Sequence, residues 1–309
     1  MTFYDSTNYK NILSYTFNYT HTEQSSVLDI AYSRCGELLL YSTKTHIKIL
    51  SSTTADLLNS INTTAHNICT LHKNCILYNT STDLKYLSYY DNTIIRKFNI
   101  KNITSIDTAN SYFNYNNIKK DIQTNTTHNN YLTDIFIAST NTNIFLSDLR
   151  SKDFISNTKI NNSKVKMLEN NNIVISTPNI INIIDSRYYD RPLYKYNIKN
   201  TKYLTSRRNK ILAVNDNYNI LDLDNKDNNS IVAVGDKINI DTYDVTAVEL
   251  SSDGNYVLSS KYSKVEMLNL IERKVEKDIK VTKNTNNIKF NPVYEQFVTS
   301  TPSINFYQY

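Results

Sequence analysis

Tryptophan is absent from this 309-residue chain, and glycine and proline are nearly so, at three and four copies. Typical usage is roughly 7% Gly and 5% Pro, so collagen-like, Gly/Ser-linker and Pro-rich classes are excluded. A Gly-rich phosphate loop is excluded too, because Gly36, Gly235 and Gly254 lie too far apart to make GxGxxG or GxxxxGK[ST]. Cys35, Cys69 and Cys75 give an odd count with no disulfide framework, which points to a reducing compartment. No apolar run approaches the length of about 18 residues that a membrane span needs. The first residues also lack the basic and apolar regions of a signal peptide. Charge of one sign is not concentrated either. The net charge is only +5, and no basic run exceeds a pair such as Lys119-Lys120 or Arg207-Arg208, so no basic stripe marks a direct nucleic-acid surface.

What is abundant is asparagine, with about 45 copies, and tyrosine, with 25. Asn, Lys, Ile and Tyr have AT-rich codons, whereas the depleted Gly, Pro, Ala and Trp have GC-rich ones. The skew therefore describes a genome's base composition more than a function. The Asn residues are scattered through apolar alternation rather than collected in one tract, which argues against an aggregating low-complexity segment.

The periodicity is that of strands. Val27–Tyr32, Leu38–Ser42 and Thr45–Leu50 are short runs rich in β-branched and aromatic residues, bounded by turn formers. Sustained helical spacing is hard to find; the weak exception, around Ala55–Ile61, reads equally as a polar loop and strand. The unit recurs at Asp244–Leu250, Tyr256–Ser260, Lys264–Leu270 and Lys274–Ile279, with Asp253-Gly254 at the first hairpin. Weaker copies cover about 66–101, 163–198 and 199–240. Four strands every 40–45 residues is the period of a propeller blade of the WD-repeat type. Seven such blades need close to this length, and each must stack on its neighbours to bury its faces. The expectation is an all-β, seven-bladed propeller forming one domain over residues 1–309. The last unit supplies only three strands, and the free strand Ile12–Phe17 is expected to complete it, removing the last open edge. An Asn-rich loop insertion over about 109–130 interrupts the third blade, as a solvated loop or a partner-docking one.

Degraded repeat signatures mark the blade ends. Asn143–Ser151 resembles the I-x-L-W-D-L-R-S strand end of WD repeats with Ser147 at the Trp position, and Ile181–Arg187 resembles it with Ile184 there. The run Leu84-Lys85-Tyr86-Leu87-Ser88-Tyr89-Tyr90-Asp91-Asn92-Thr93-Ile94-Ile95-Arg96-Lys97-Phe98 is more distinctive. It is similar to a run of the WD-repeat subunit shared by the COMPASS-type histone H3 lysine-4 methyltransferase complex and the cleavage/polyadenylation (termination) machinery. Leu71–Thr80, Phe136–Thr140 with Asp148–Ser151, and Lys289–Pro292 through Val298 resemble that family in order and spacing. The resemblance implies a non-catalytic nuclear adaptor or scaffold. Its partners would be the methyltransferase catalytic subunit and the RNA polymerase II C-terminal domain or cleavage/polyadenylation factors, with no direct nucleic acid and no membrane. The alternative is a WD-repeat scaffold of another assembly, such as a ubiquitin-ligase receptor or a trafficking complex.

The chemistry-bearing residues are few. His66, Cys69, His72 and Cys75 have a regular spacing of soft ligands, but residues three apart on a strand face opposite ways, so ordinary strand and turn roles are favoured over zinc. Ser251-Ser252-Asp253-Gly254 reads as a hairpin turn. The eight glutamates show no recurring position that would gather them at the propeller axis, and GxSxG and HExxH are missing. No catalytic, cofactor or metal residue is assigned, and no enzyme activity is expected. Among the arginines near blade-end loops (Arg96, Arg150, Arg187 and Arg191), Arg150 and Arg187 are the candidate partner-binding residues. A guanidinium fork matches phosphate or carboxylate groups; bracing of each arginine's own blade is the competing role.

Overall fold

The computed structural model describes residues 16–23, 25–71, 74–108, 135–168, 172–186, 191–207, 209–223, 232–233, 242, 244–281, 285–301 and 303–308. Among them there is no helix, and all regular structure is strand. The order is β1 (Thr16–His21), then blade one with β2 (Asp29–Tyr32), β3 (Leu38–Ser42), β4 (His46–Ser51) and β5 (Leu57–Asn62). Blade two holds β6 (Asn67–Thr70), β7 (Cys75–Asn79), β8 (Leu84–Ser88) and β9 (Thr93–Phe98). Blade three holds β10 (Ile103–Thr108), β11 (Ile135–Thr140), β12 (Asn143–Asp148) and β13 (Phe154–Lys159). Blade four holds β14 (Lys164–Met167), β15 (Asn172–Ser176), β16 (Ile181–Asp185) and β17 (Pro192–Tyr196). Blade five holds β18 (Tyr203–Arg207), β19 (Lys210–Val214), β20 (Tyr218–Asp222) and β21 (Val232–Ala233). Blade six holds β22 (Ala247–Leu250), β23 (Tyr256–Lys261), β24 (Lys264–Asn269) and β25 (Lys274–Lys280). β26 (Asn287–Phe290), β27 (Gln296–Ser300) and β28 (Ile304–Gln308) form blade seven, each pair in every blade antiparallel.

The first strands of successive blades lie side by side around the axis, and β26 returns to β2, so the ring is closed. The expected seven-bladed propeller is the observed fold. The closing strand differs in position: it is Thr16–His21, which pairs with β28, and residues 12–15 lie outside the described set. So does the insertion at 109–130, which falls between β10 and β11.

The apolar core divides into seven clusters, one at each seam between blades. The reason is geometric. A blade's sheet has two apolar faces, and only the two neighbouring blades can cover them. Without Trp, the seams are filled with branched aliphatics and, in several of them, Phe and Tyr, such as Phe290, Phe297 and Tyr307 between blades six and seven. The blade three–four seam is built from Ile137, Ile144, Leu146, Val165, Met167, Ile173, Ile175 and Ile184. Ile184 and Ser147, at the Trp positions, are both buried. Short hydroxyl side chains stitch adjacent blades. Thr70 Oγ1 donates to the Tyr32 carbonyl (2.8 Å), Ser105 Oγ to that of Val165 (3.2 Å) and Ser139 Oγ to that of Ser163 (3.0 Å). Larger phenols also cross seams: Tyr32 OH donates to Gln296 Oε1 (2.8 Å), and Tyr203 OH to the Val245 carbonyl (2.7 Å).

Gly36 and Gly254 hold the left-handed conformation in equivalent hairpins, at φ 73° and 72°. At Gly36 the freedom is doubly needed, because a Cβ there would sit 2.3 Å from Asn291 Oδ1 of blade seven. The stretch Ser251–Gly254 is a hairpin turn, with Gly254 N bonding the Ser251 carbonyl at 2.9 Å.

Six outer strands share a β-bulge at one register, immediately before the end of the third strand. The shifts fall at Ile49/Leu50, Tyr86/Leu87, Leu146/Ser147, Ile183/Ile184 and Met267/Leu268, and in blade seven between Phe17 and Tyr19. A bulge re-aims the residue beside it. In blade one that residue is Asn59, whose Nδ2 donates to the Tyr89 carbonyl of blade two at 3.0 Å. In blade two it is Arg96, whose Nη1 donates to the Leu149 carbonyl of blade three at 2.8 Å and to that of Ser151. Arg96→Ala should therefore cost about 2 kcal/mol and raise amide exchange first along β9 and β13. Unchanged exchange there would show that the clamp is idle.

Candidate functional site

The inner strands each present one residue at a common register to the axis, opposite the middle of the second strand. In blade order these are Ala31, Cys69, Asp107, Lys166, Thr205, Glu249 and Lys289. All seven line one axial cavity of about 220 Å³, together with Asp29, Arg34 and Arg207. Glu249 is the one glutamate among these seven, so the glutamates do not recur at the axis, but Asp107 joins it there as a second carboxylate. The register that gathers them appears only when all residue types are aligned blade by blade. The local signal is a charged residue between apolar neighbours in a blade's first strand, as in Val165-Lys166-Met167, Val248-Glu249-Leu250 and Ile288-Lys289-Phe290.

Each channel carboxylate has a bracing role. Asp29 accepts from Ile30 N (2.9 Å) and, across the seam, from Ile68 N (2.8 Å). Asp107 Oδ2 accepts from Met167 N of blade four at 2.9 Å. Glu249 bridges three blades: Arg207 Nη2 lies 2.7 Å from one oxygen and Lys289 Nζ 3.0 Å from the other. Burial works to raise the Glu249 carboxyl, but Lys289 and Arg207 overcome it and hold it below the ordinary carboxylate value. Burial likewise opposes charge on Lys289, and Glu249 with Asp29 wins, raising the amine. Asp29, by contrast, is raised, because burial outweighs its cationic neighbours and amide bonds.

Cys69 is buried beside Asp107 and Thr108, and burial with the Asp107 charge pushes its thiol up to about 11. A thiol held protonated is a poor nucleophile. Cys75 stands elsewhere in blade two, at the start of β7, and His66 is exposed; His72 lies outside the described residues. Among the described residues no group of three or more His, Cys, Asp or Glu is arranged to hold a metal. The cavity is also small for a substrate, since ligand pockets run to about 300–1,000 Å³.

Arg150 is away from the channel. Its Nε and Nη2 lie 3.0 and 2.6 Å from the two carboxylate oxygens of Asp148, so its fork braces the strand end while half of the side chain remains exposed. Arg187 lies outside the described residues.

The class defined by this geometry is a seven-bladed β-propeller with a polar, charge-lined axis. No family model matches the chain, and no curated protein matches its sequence. Among solved structures, it is similar to the β-propeller domain of Cps50 (Swd1) from Myceliophteria thermophila, with a TM-score of 0.74 and 12% identity. That likeness spans 96% of this chain and 99% of that one. At this identity the likeness shows the fold. The fold is widely shared, with 1240 chains of solved structures matching it, so it does not by itself select a partner.

Proposed function

We propose that this chain is a non-catalytic scaffold of a nuclear complex that methylates histone H3 on lysine 4, with links to transcription and RNA 3′-end processing. The observation that carries the reading is the run Leu84–Phe98, which resembles the WD-repeat subunit of that complex. It builds β8, the turn and β9, and leaves Tyr90, Ile94 and Ile95 exposed where a partner could reach them. The fold likeness to the Cps50 (Swd1) β-propeller domain supports a propeller as the frame of that scaffold. The scaffold role is supported by a small axial cavity whose carboxylates are occupied in bracing and whose thiol is protonated. The termination arm rests on the resemblance alone. Arg150 keeps a part in partner contact within this proposal, through its exposed half.

The breadth of the fold favours a second reading, a scaffold of another assembly such as a ubiquitin-ligase receptor or a trafficking complex. Affinity purification of the tagged chain separates the two. Recovery of a SET-domain methyltransferase, with nuclear localisation of the tagged protein, is expected. Recovery of cullin or coat subunits in its place would overturn the proposal.

A further inference from the structure

The axial cavity holds more positive than negative groups. Arg34, Lys166, Arg207 and Lys289 line it against Asp29, Asp107 and Glu249, four cations to three carboxylates. The carboxylates are already engaged. Both Asp29 oxygens accept main-chain amides, Asp107 Oδ2 accepts Met167 N, and Glu249 is matched by Arg207 and Lys289. Lys166 differs from Arg207 and Lys289 in its distance to the nearest carboxylate. Its nearest such oxygen, Asp107 Oδ1, is 3.8 Å away, beyond hydrogen-bond length, while the Arg207 and Lys289 contacts are 2.7 and 3.0 Å. About three-quarters of its side chain is covered, so the ammonium is drawn into the cavity without a close carboxylate. Partly desolvated charge in such a place favours a counter-ion.

We propose that the channel binds a small oxyanion, a phosphate or carboxylate group, on Lys166, with Thr205 and the Arg34 and Arg207 guanidiniums facing the same cavity. Neighbouring Thr205 belongs to the same axial ring as Lys166, one blade on, and carries a hydroxyl donor. The volume suits the ligand class. A cavity of about 220 Å³ has room for a hydrated oxyanion or the tip of one side chain. Fork-shaped guanidiniums and an ammonium are the donors such groups take. The site stands apart from the scaffold reading and does not depend on which complex the chain joins.

The test uses inorganic phosphate as the probe. Thermal unfolding of the full chain is followed as phosphate is titrated at constant ionic strength, with chloride as the balancing anion. A saturable rise in the midpoint is expected, and Lys166→Gln should weaken the apparent affinity at least tenfold. A short phosphoserine peptide titrated in parallel separates the sources. Tighter binding than free phosphate assigns a partner's phosphoryl group, and weaker or equal binding assigns the free ion. Should Lys166→Gln fail to fold, protection of Lys166 from amine acylation by phosphate in the native protein, read by mass spectrometry, takes its place. No midpoint rise beyond the chloride control, an unaltered affinity in the variant, or no protection would each overturn the proposal.

Discussion

Glu249→Ala should lower folding stability by about 3–5 kcal/mol, because it leaves Arg207 and Lys289 facing each other without their shared carboxylate. At this chain length that corresponds to a fall in Tm of roughly 2 °C per kcal/mol. The loss is large because Glu249 is 2% exposed and ties β18, β22 and β26 together. Replacing all three residues by Met should recover much of it, since well-packed apolar groups can stand in for a buried ionic cluster. The pH dependence follows from the same pair. Glu249 titrates below its ordinary 4.5, so its contribution is present above that value and is lost as pH falls through the lower folded one. Lys289 titrates above its ordinary 10.5, so its contribution is present below that value and is lost as pH rises through the higher folded one. Wild type should therefore hold a plateau between the two limits, and Glu249→Ala should show a weaker acid limb. A loss under about 1 kcal/mol in denaturant unfolding would show instead that channel water solvates the two cations.

Deleting residues 1–23 should open the ring. β1 supplies the fourth strand of blade seven through five paired positions, and each backbone hydrogen bond contributes about 1 kcal/mol, for a loss of roughly 4–5 kcal/mol. The segment after the strand adds a second fastening to blade one. His21 Nε2 and Tyr41 OH are 3.1 Å apart, Tyr41 OH donates to Glu23 Oε2 at 2.8 Å, and Lys48 Nζ lies 2.7 Å from the same oxygen. Burial works to raise the Glu23 carboxyl, but Lys48 and Tyr41 pull it down to about 2. The truncated chain should also bare the edge of β28, an invitation to pair with another chain. Light scattering coupled to size-exclusion chromatography should show oligomers, and unfolding should begin at lower denaturant. A monomeric truncation with unchanged unfolding would mean that closure does not depend on this strand.

The repeat was legible in the sequence because the alternation of apolar and polar residues survives the loss of Trp. Leu38–Ser42 is read with its observed bounds, and Ser251–Gly254 turns as its Asp-Gly pair suggests. The closing strand was legible in kind but lay a few residues later than Ile12–Phe17, since apolar content alone does not set register. Arg150 gives one side of its fork to Asp148, a contact the Asp-x-Arg spacing allows but does not require. The axial ring was missed because its seven members come from seven distant segments and share no residue type. Only the common register of the inner strands brings Lys166 beside Asp107 and Glu249 between Arg207 and Lys289.

By itself, then, the sequence determined the local structure: short strands, their grouping in fours, and the hairpins that Gly36 and Gly254 permit. These follow from contacts between residues near one another in the chain. The tertiary structure alone decided which charges meet at the axis, where the outer-strand bulges aim Asn59 and Arg96, and how the first strand locks to the last blade. Those depend on register between segments up to the whole chain length apart, and composition and spacing carry no record of it.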